Sequence, residues 1–163
     1  MKDVDGNKPL HIASYDDEEE LVEVAKLLLQ NGADPNSING NKDTPMYLAT
    51  ERGHAEIVNL LIQYGANVNS LNNRYCRTPL HMASRKGHLE ITKLLIENGA
   101  EVNQPDKDSE TPLLLASQRG NIEVAKLLLE KRANVDSSEA DDNWTPLHYA
   151  SDKENVDKEK VLM

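Results

Sequence analysis

The stretch Thr78-Pro79-Leu80-His81-Met82-Ala83 decides how this chain is read, because versions of it occur five times. The others are Lys8-Pro9-Leu10-His11-Ile12-Ala13, Thr44-Pro45-Met46-Tyr47-Leu48-Ala49, Thr111-Pro112-Leu113-Leu114-Leu115-Ala116 and Thr145-Pro146-Leu147-His148-Tyr149-Ala150. They follow one another at intervals of 33 to 36 residues. A fixed period of this length signals stacked supersecondary units with no single folding nucleus.

Thr78 is placed to cap a helix, its hydroxyl accepting a first-turn amide. Pro79 then takes the first helical position, where its missing N–H costs nothing. The helix is expected to end near Gly87. A second helix is expected from about Leu89 to Asn98, with Ile91, Leu94 and Leu95 at the spacing of one apolar stripe. Gly99 closes it in the left-handed conformation that glycine takes without steric cost. Neither helix can bury its stripe alone, so successive pairs must stack. Gly32, Gly65 and Gly99 repeat the same turn. Leu27-Leu28, Leu60-Leu61, Leu94-Leu95 and Leu127-Leu128 read as the same core pair.

The 163 residues suffice for one ordinary domain or about five small repeats. Hydrophobic residues make up 38% and aromatics only 4%, with no Phe, so the interior must be built from Leu, Ile, Val and Ala. A formal charge of −10 argues against broad affinity for nucleic acid or anionic membranes, and it favours a monomer. Cys76 is the only cysteine and cannot form an internal disulfide, which points to a reducing, intracellular and cytoplasmic setting. No apolar run approaches the roughly 20 residues of a membrane span, and no signal-peptide core opens the chain.

Assembled, the repeat reads Asp-x-x-Gly-x-Thr-Pro-Leu-His, then Gly-His, then Leu-Leu-x-x-Gly-Ala-x-x-Asn, and it closely resembles the ankyrin repeat over essentially the whole chain. The resemblance implies an all-α repeat solenoid of stacked helix-turn-helix units with projecting β-hairpin fingers. It implies one domain, 1–163, with repeats at about 3–36, 39–69, 73–103, 106–136 and 140–163, the last incomplete. It also implies a non-catalytic module that binds a protein or peptide partner and needs no cofactor. Other settings are a targeting domain of a larger enzyme or signalling protein, or a designed binder, which the uneven repeats disfavour.

Departures from the pattern carry expectations of their own. Repeat 1 has Lys8 in place of the capping Thr, a loss of roughly 1 kcal/mol, and three extra residues between its helices. Arg132 stands where the other copies have glycine, so a left-handed backbone there would be strained by about 1 kcal/mol. In repeat 5, Glu154-Asn155 replaces the Gly-His joint, Lys158 and Glu159 occupy apolar positions, and the chain stops part-way through a second helix. A truncated array explains this better than a polar cap.

The resemblance implies that His11, His81, His148, His54 and His88 are structural hydrogen-bonding residues of the repeat, and none has Cys or His neighbours at zinc-ligand spacing. No catalytic motif is present. Cys76 reads as a replacement for the finger glycine; Arg74 and Arg77 beside it would favour a modifiable thiolate. Asn36, Asn69 and Asn103 hold the turn position that is hydroxylated in some members of the family, each with a Leu eight residues upstream. The run Asp16-Asp17-Glu18-Glu19-Glu20 reads as a solvated helix start.

In the family, finger tips and the exposed ends of the first helices line a concave face. The partner-binding candidates there are Arg52, Arg74, Tyr75, Arg77, Arg85, Lys86, Lys107, Arg119 and Trp144. Repeat 3 contributes four cations and a tyrosine to a chain of net charge −10, while Asp141 and Asp142 help make the far end acidic. Arg, Tyr and Trp are enriched at binding hot spots. The expectation is therefore a basic centre receiving an acidic or phosphorylated segment, with Tyr75 and Trp144 as anchors.

Overall fold

A computed structural model of the chain describes residues 5–15, 20–72, 74–140 and 143–151. Among these residues the chain forms nine helices and no strand. The first helices of the repeats are α1 (Pro9–Tyr15), α3 (Pro45–Arg52), α5 (Pro79–Lys86), α7 (Pro112–Arg119) and α9 (Pro146–Ser151). The second helices are α2 (Leu21–Gln30), α4 (Ala55–Gln63), α6 (Leu89–Glu97) and α8 (Ile122–Glu130). Each first helix packs on the next first helix and each second helix on the next second helix, giving two parallel rows. The result is an all-α repeat solenoid. Of the features expected in repeat 5, those at residues 152–163 lie outside the described residues, as do 16–19 of the acidic run and Asp141 and Asp142.

The repeated Thr-Pro starts each first helix as its chemistry dictates. Thr44, Thr78 and Thr111 are extended, and each hydroxyl accepts the amide three residues on, at 3.2, 3.4 and 3.3 Å. Capping of this kind contributes about 1 kcal/mol per helix. Gly53, Gly87 and Gly120 end these helices at φ 86°, 80° and 72°, a conformation that turns the chain directly into the second helix.

The core is a ladder of equivalent positions. Leu10, Met46, Leu80 and Leu113 follow the prolines, and Leu61, Leu95 and Leu128 face them from the second helices. Full burial of one such side chain contributes about 1.5–3 kcal/mol, so most stability is shared between neighbours. The Leu-Leu pairs are only half core. Leu60, Leu94 and Leu127 are partly buried, and Leu27 is 50% exposed. Adjacent helical residues point about 100° apart, so one of each pair leaves the stripe.

The fingers are hairpin-shaped turns. Each is closed at its base by a backbone bond, as in Asn39 N–H to Asp43 O at 3.1 Å, Asn72 N–H to Arg77 O at 3.0 Å and Asp106 N–H to Glu110 O at 2.9 Å. Neighbouring fingers share single bonds such as Lys107 N–H to Tyr75 O at 3.0 Å. One or two bonds per finger do not make the continuous ladder of a strand, which is why the expected β-structure is absent from the described residues. Lys42, Cys76, Ser109 and Asn143 occupy the left-handed turn position with φ between 53° and 64°. Cys76 therefore stands in the turn-glycine position, with its side chain exposed.

Arg132 has φ 64° and does adopt the left-handed turn. Its N–H bonds to Leu129 O at 3.0 Å, and Ala133 N–H bonds to Leu128 O at 2.9 Å, matching the pattern at Gly65 and Ala66. The repeat geometry is thus enforced on a residue that disfavours it.

Candidate functional site

A cavity of about 560 Å³ opens between repeats 2 and 3, on the side formed by the fingers and first helices. Repeat 2 lines it with Asn41, Asp43, Tyr47 and Glu51, and repeat 3 with Asn72, Arg74, Tyr75, Arg77, Met82 and Arg85. Four candidates from the sequence, Arg74, Tyr75, Arg77 and Arg85, therefore meet here. A second cavity of about 480 Å³ lies between repeats 1 and 2 and shares Asn41, Asp43 and Glu51 with the first.

Arg77 requires a correction. It is 7% exposed, and its charge is already committed. Its Nε donates to Asp106 Oδ2 at 2.8 Å, and its Nη2 donates to Glu110 Oε2. Burial works against the guanidinium charge, yet the bonds and charge of Asp106 and Glu110 raise its pKa. An arginine beside the finger looks like a contact residue in sequence. The acidic pair that claims it lies about one repeat away, and only stacking brings them together.

The other candidates divide by what they touch. Arg74 is exposed, with its guanidinium carbon 5.1 Å from the Tyr75 ring centroid; those of Arg77 and Lys107 Nζ lie at 4.7 and 4.6 Å. Tyr75 is half-buried beneath these cations, so its ring helps to organise the finger. Arg85 is half-buried on the cavity wall. Arg52 is exposed and lies over Tyr15, 3.7 Å from the ring centroid. Lys86 and Arg119 are exposed in the last turns of α5 and α7 and do not line the cavity. Trp144 is 36% exposed and packs on Tyr149 and His148, with ring centroids 4.9 and 6.1 Å away.

The lining residues outside the partner-binding candidates include Asp43, Tyr47 and Met82. Asp43 is half-buried, and burial followed by the charge of Glu51 raises its carboxyl pKa. Tyr47 is 5% exposed, and burial together with the nearby carboxylates pushes its phenol up. Met82 supplies an apolar floor and is 4% exposed. The signal for Tyr47 was present, since it replaces the motif histidine found at His11, His81 and His148.

The two deeply buried motif histidines have definite structural roles. Thr78 N–H donates to His81 Nδ1 at 3.1 Å, so Nδ1 is the acceptor and Nε2 carries the proton. Nε2 then donates to Glu110 O, 3.2 Å away in the next repeat. His11 makes the same bridge to Asp43 O at 3.2 Å. Burial lowers the His81 pKa to about 4.

Asn36, Asn69 and Asn103 form another inter-repeat ladder. Their side-chain amides donate to the carbonyls of Gly65, Gly99 and Arg132 at 3.1, 3.0 and 3.2 Å. Their oxygens accept from the amides of Asn67, Glu101 and Asn134 at 2.7, 3.0 and 2.7 Å. Each asparagine clamps the turn of the following repeat.

Among the described residues, the grouping with metal-ligand geometry is Asp106, Asp108 and Glu110, whose oxygens lie within 4.8 Å of one another. Arg77 already neutralises two of these carboxylates, so the arrangement is satisfied by a cation from the chain itself.

Residues 10–106 and 102–163 match the family model described as ankyrin repeats, three copies. These matches cover nearly the whole chain, and the protein belongs to the ankyrin repeat family. Comparison with curated protein sequences gave no significant match. Ankyrin repeats are generally protein-protein interaction modules. No helix among the described residues is long and apolar enough to cross a membrane.

Proposed function

We propose that this chain is a non-catalytic interaction module that binds a partner protein or peptide along its finger and first-helix face. The observation that carries this reading is the 560 Å³ cavity between repeats 2 and 3. It combines aromatic, apolar and charged groups, the mixture that gives interfaces both contact area and orientation. Arg74 and Arg85 are the cations offered to an acidic or phosphorylated group, flanked by Arg52, Lys86, Lys107 and Arg119. Tyr75 and Trp144 supply aromatic contacts. Arg77 positions the finger and is not part of the contact set. The net charge of −10 speaks against a nucleic-acid partner and for a monomer, and the single thiol supports an intracellular, cytoplasmic setting.

The test is affinity capture from cytosolic extract with the chain and its Arg74→Glu, Arg85→Glu variant, after circular dichroism shows both to be helical. Partners lost only from the variant are expected. Identical partner sets would overturn this site. Asn36 and Asn103 are exposed, so hydroxylation at the clamp asparagines is also proposed. An intact mass from cells raised by one oxygen per site would support it, and an unchanged mass would refute it.

A further inference from the structure

The cavity between repeats 2 and 3 carries opposite charges on its two walls. Asp43 and Glu51 come from repeat 2, and Arg74 and Arg85 from repeat 3. Among the described residues, no ion pair within 4.0 Å joins any of these four groups to another. The other cation of the lining, Arg77, has its charge already paired with Asp106 and Glu110. The charge separation is therefore maintained across an open volume and is not cancelled within it.

The acidic wall also faces the neighbouring cavity. Asp43 and Glu51 line that cavity too, together with Asp5. Across the two cavity linings, carboxylates come from repeats 1 and 2 and guanidiniums from repeat 3, while Arg52 lies outside both linings, over the Tyr15 ring. A uniformly acidic partner would meet Arg74 and Arg85 favourably, but it would press against Asp43 and Glu51. Like charges juxtaposed across an interface are strongly unfavourable, and complementary ones set register.

We propose that the partner segment is charge-ordered: a Lys or Arg lies over the Asp43 and Glu51 wall, and an acidic or phosphorylated residue lies over Arg74 and Arg85. This rests on the reading of the finger and first-helix face as the binding surface and adds the partner's chemistry. Met82 and the Tyr47 ring, both nearly buried, form the floor between the two charged subsites and accept the intervening aliphatic atoms. The cavity thereby reads the order of charges as well as their sign, which excludes polyanions that an arginine patch alone would hold.

The experiment is selection of a random dodecapeptide library on the full chain, followed by fluorescence anisotropy of the enriched peptides. Enriched sequences are expected to carry basic and acidic residues in separate blocks with one constant order. Their affinity should fall about tenfold in the Asp43→Asn, Glu51→Gln variant and about tenfold in the Arg74→Gln, Arg85→Gln variant. A gain of binding guards against misfolded variants: Glu51→Lys should bind a Gly-Ser peptide bearing six glutamates about tenfold more tightly than the parent does. Uniformly acidic enriched peptides, sensitive only to the arginine pair, would overturn the charge order and leave the binding face intact. Enriched peptides indifferent to both pairs, or no enrichment at all, would overturn the face as well.

Discussion

Replacing Arg77 by Met should destabilise the protein far more than removing a surface arginine. The side chains of Arg77, Asp106 and Glu110 are 8%, 0% and 12% exposed. Methionine fills similar space but leaves two carboxylates buried without their cation. Breaking a buried ion pair from one side costs about 3–5 kcal/mol, because the partner charges are stranded. At about 2–4 °C per kcal/mol for a chain of this size, the melting temperature should fall by about 6–20 °C. The pH dependence supplies a second constraint. Burial already raises the Glu110 carboxyl, while Gln118 and Arg77 pull it down. Without Arg77 it rises further, so the folded state takes up a proton before the unfolded state does. The variant's deficit should therefore shrink as pH falls from 7 towards 5. Adding Asp106→Asn and Glu110→Gln to Arg77→Met should recover most of the loss, since a neutral buried triad strands no charge. Urea melts followed by circular dichroism at both pH values measure all three proteins. A loss below about 1 kcal/mol, the scale of an exposed pair, or a deficit independent of pH would refute the reasoning.

Three further outcomes are expected. Arg132→Gly should stabilise the chain by up to about 1 kcal/mol, because the left-handed backbone costs a non-glycine residue about 1–2 kcal/mol and glycine returns about 0.5–1 kcal/mol of that as entropy; an unchanged or lower melting temperature would count against it. Asn69→Ala removes two bonds to the next repeat and should cost about 1–2 kcal/mol in denaturant melts, whereas a loss confined to a few tenths would mean water replaces the clamp. His81 has a folded pKa of about 4 against an ordinary 6.5, so between those values the unfolded state binds more protons. Stability should fall as pH drops from 6.5 towards 4, by about 2 kcal/mol at pH 5, and His81→Leu should lack that slope; parallel pH profiles for the two proteins would falsify the assignment.

The fold was legible because its determinants are local and repeated. Thr78 caps, Pro79 starts and Gly87 stops within a single stretch of chain, and five copies average out any one irregularity. Arg132 was legible for the same reason: the three glycines at its position declared the backbone conformation in advance, and their own φ values of 81–87° agree with it. A Cβ placed at Gly32, Gly65 or Gly99 meets nothing within 4 Å, so the expected cost at Arg132 is one of backbone and not of packing. The site was less legible because charge partners are set by stacking. Asp106 and Glu110 lie 29 and 33 residues beyond Arg77, and no local pattern marks them as its partners. The acidic wall was legible only in part: the repeat places Asp43 and Glu51 on the face, but stacking alone sets them opposite Arg74 and Arg85.

One substitution in the repeat changes what lines the cavity between repeats 2 and 3. Where the motif has histidine in repeats 1 and 3, its ring reaches forward to the next finger: His11 to Asp43 O and His81 to Glu110 O. Repeat 2 has Tyr47 in that slot, and its ring lines the cavity that opens towards repeat 3. The phenol adds apolar surface at a junction that lacks the histidine bridge. Repeat 4 makes a different exchange, with Leu114 fully buried and the forward link carried by Gln118, which donates to Tyr149 Oη at 3.0 Å. Tyr149 in turn donates to Glu139 Oε1 at 2.7 Å. The junctions are therefore not equivalent, although their backbones repeat. Of the two repeats without the motif histidine, repeat 2 is the one whose replacement, Tyr47, lines a cavity with separated charges. A site can arise in a repeat array in this way, by exchanging one side chain at a junction whose Asn69 clamp is kept.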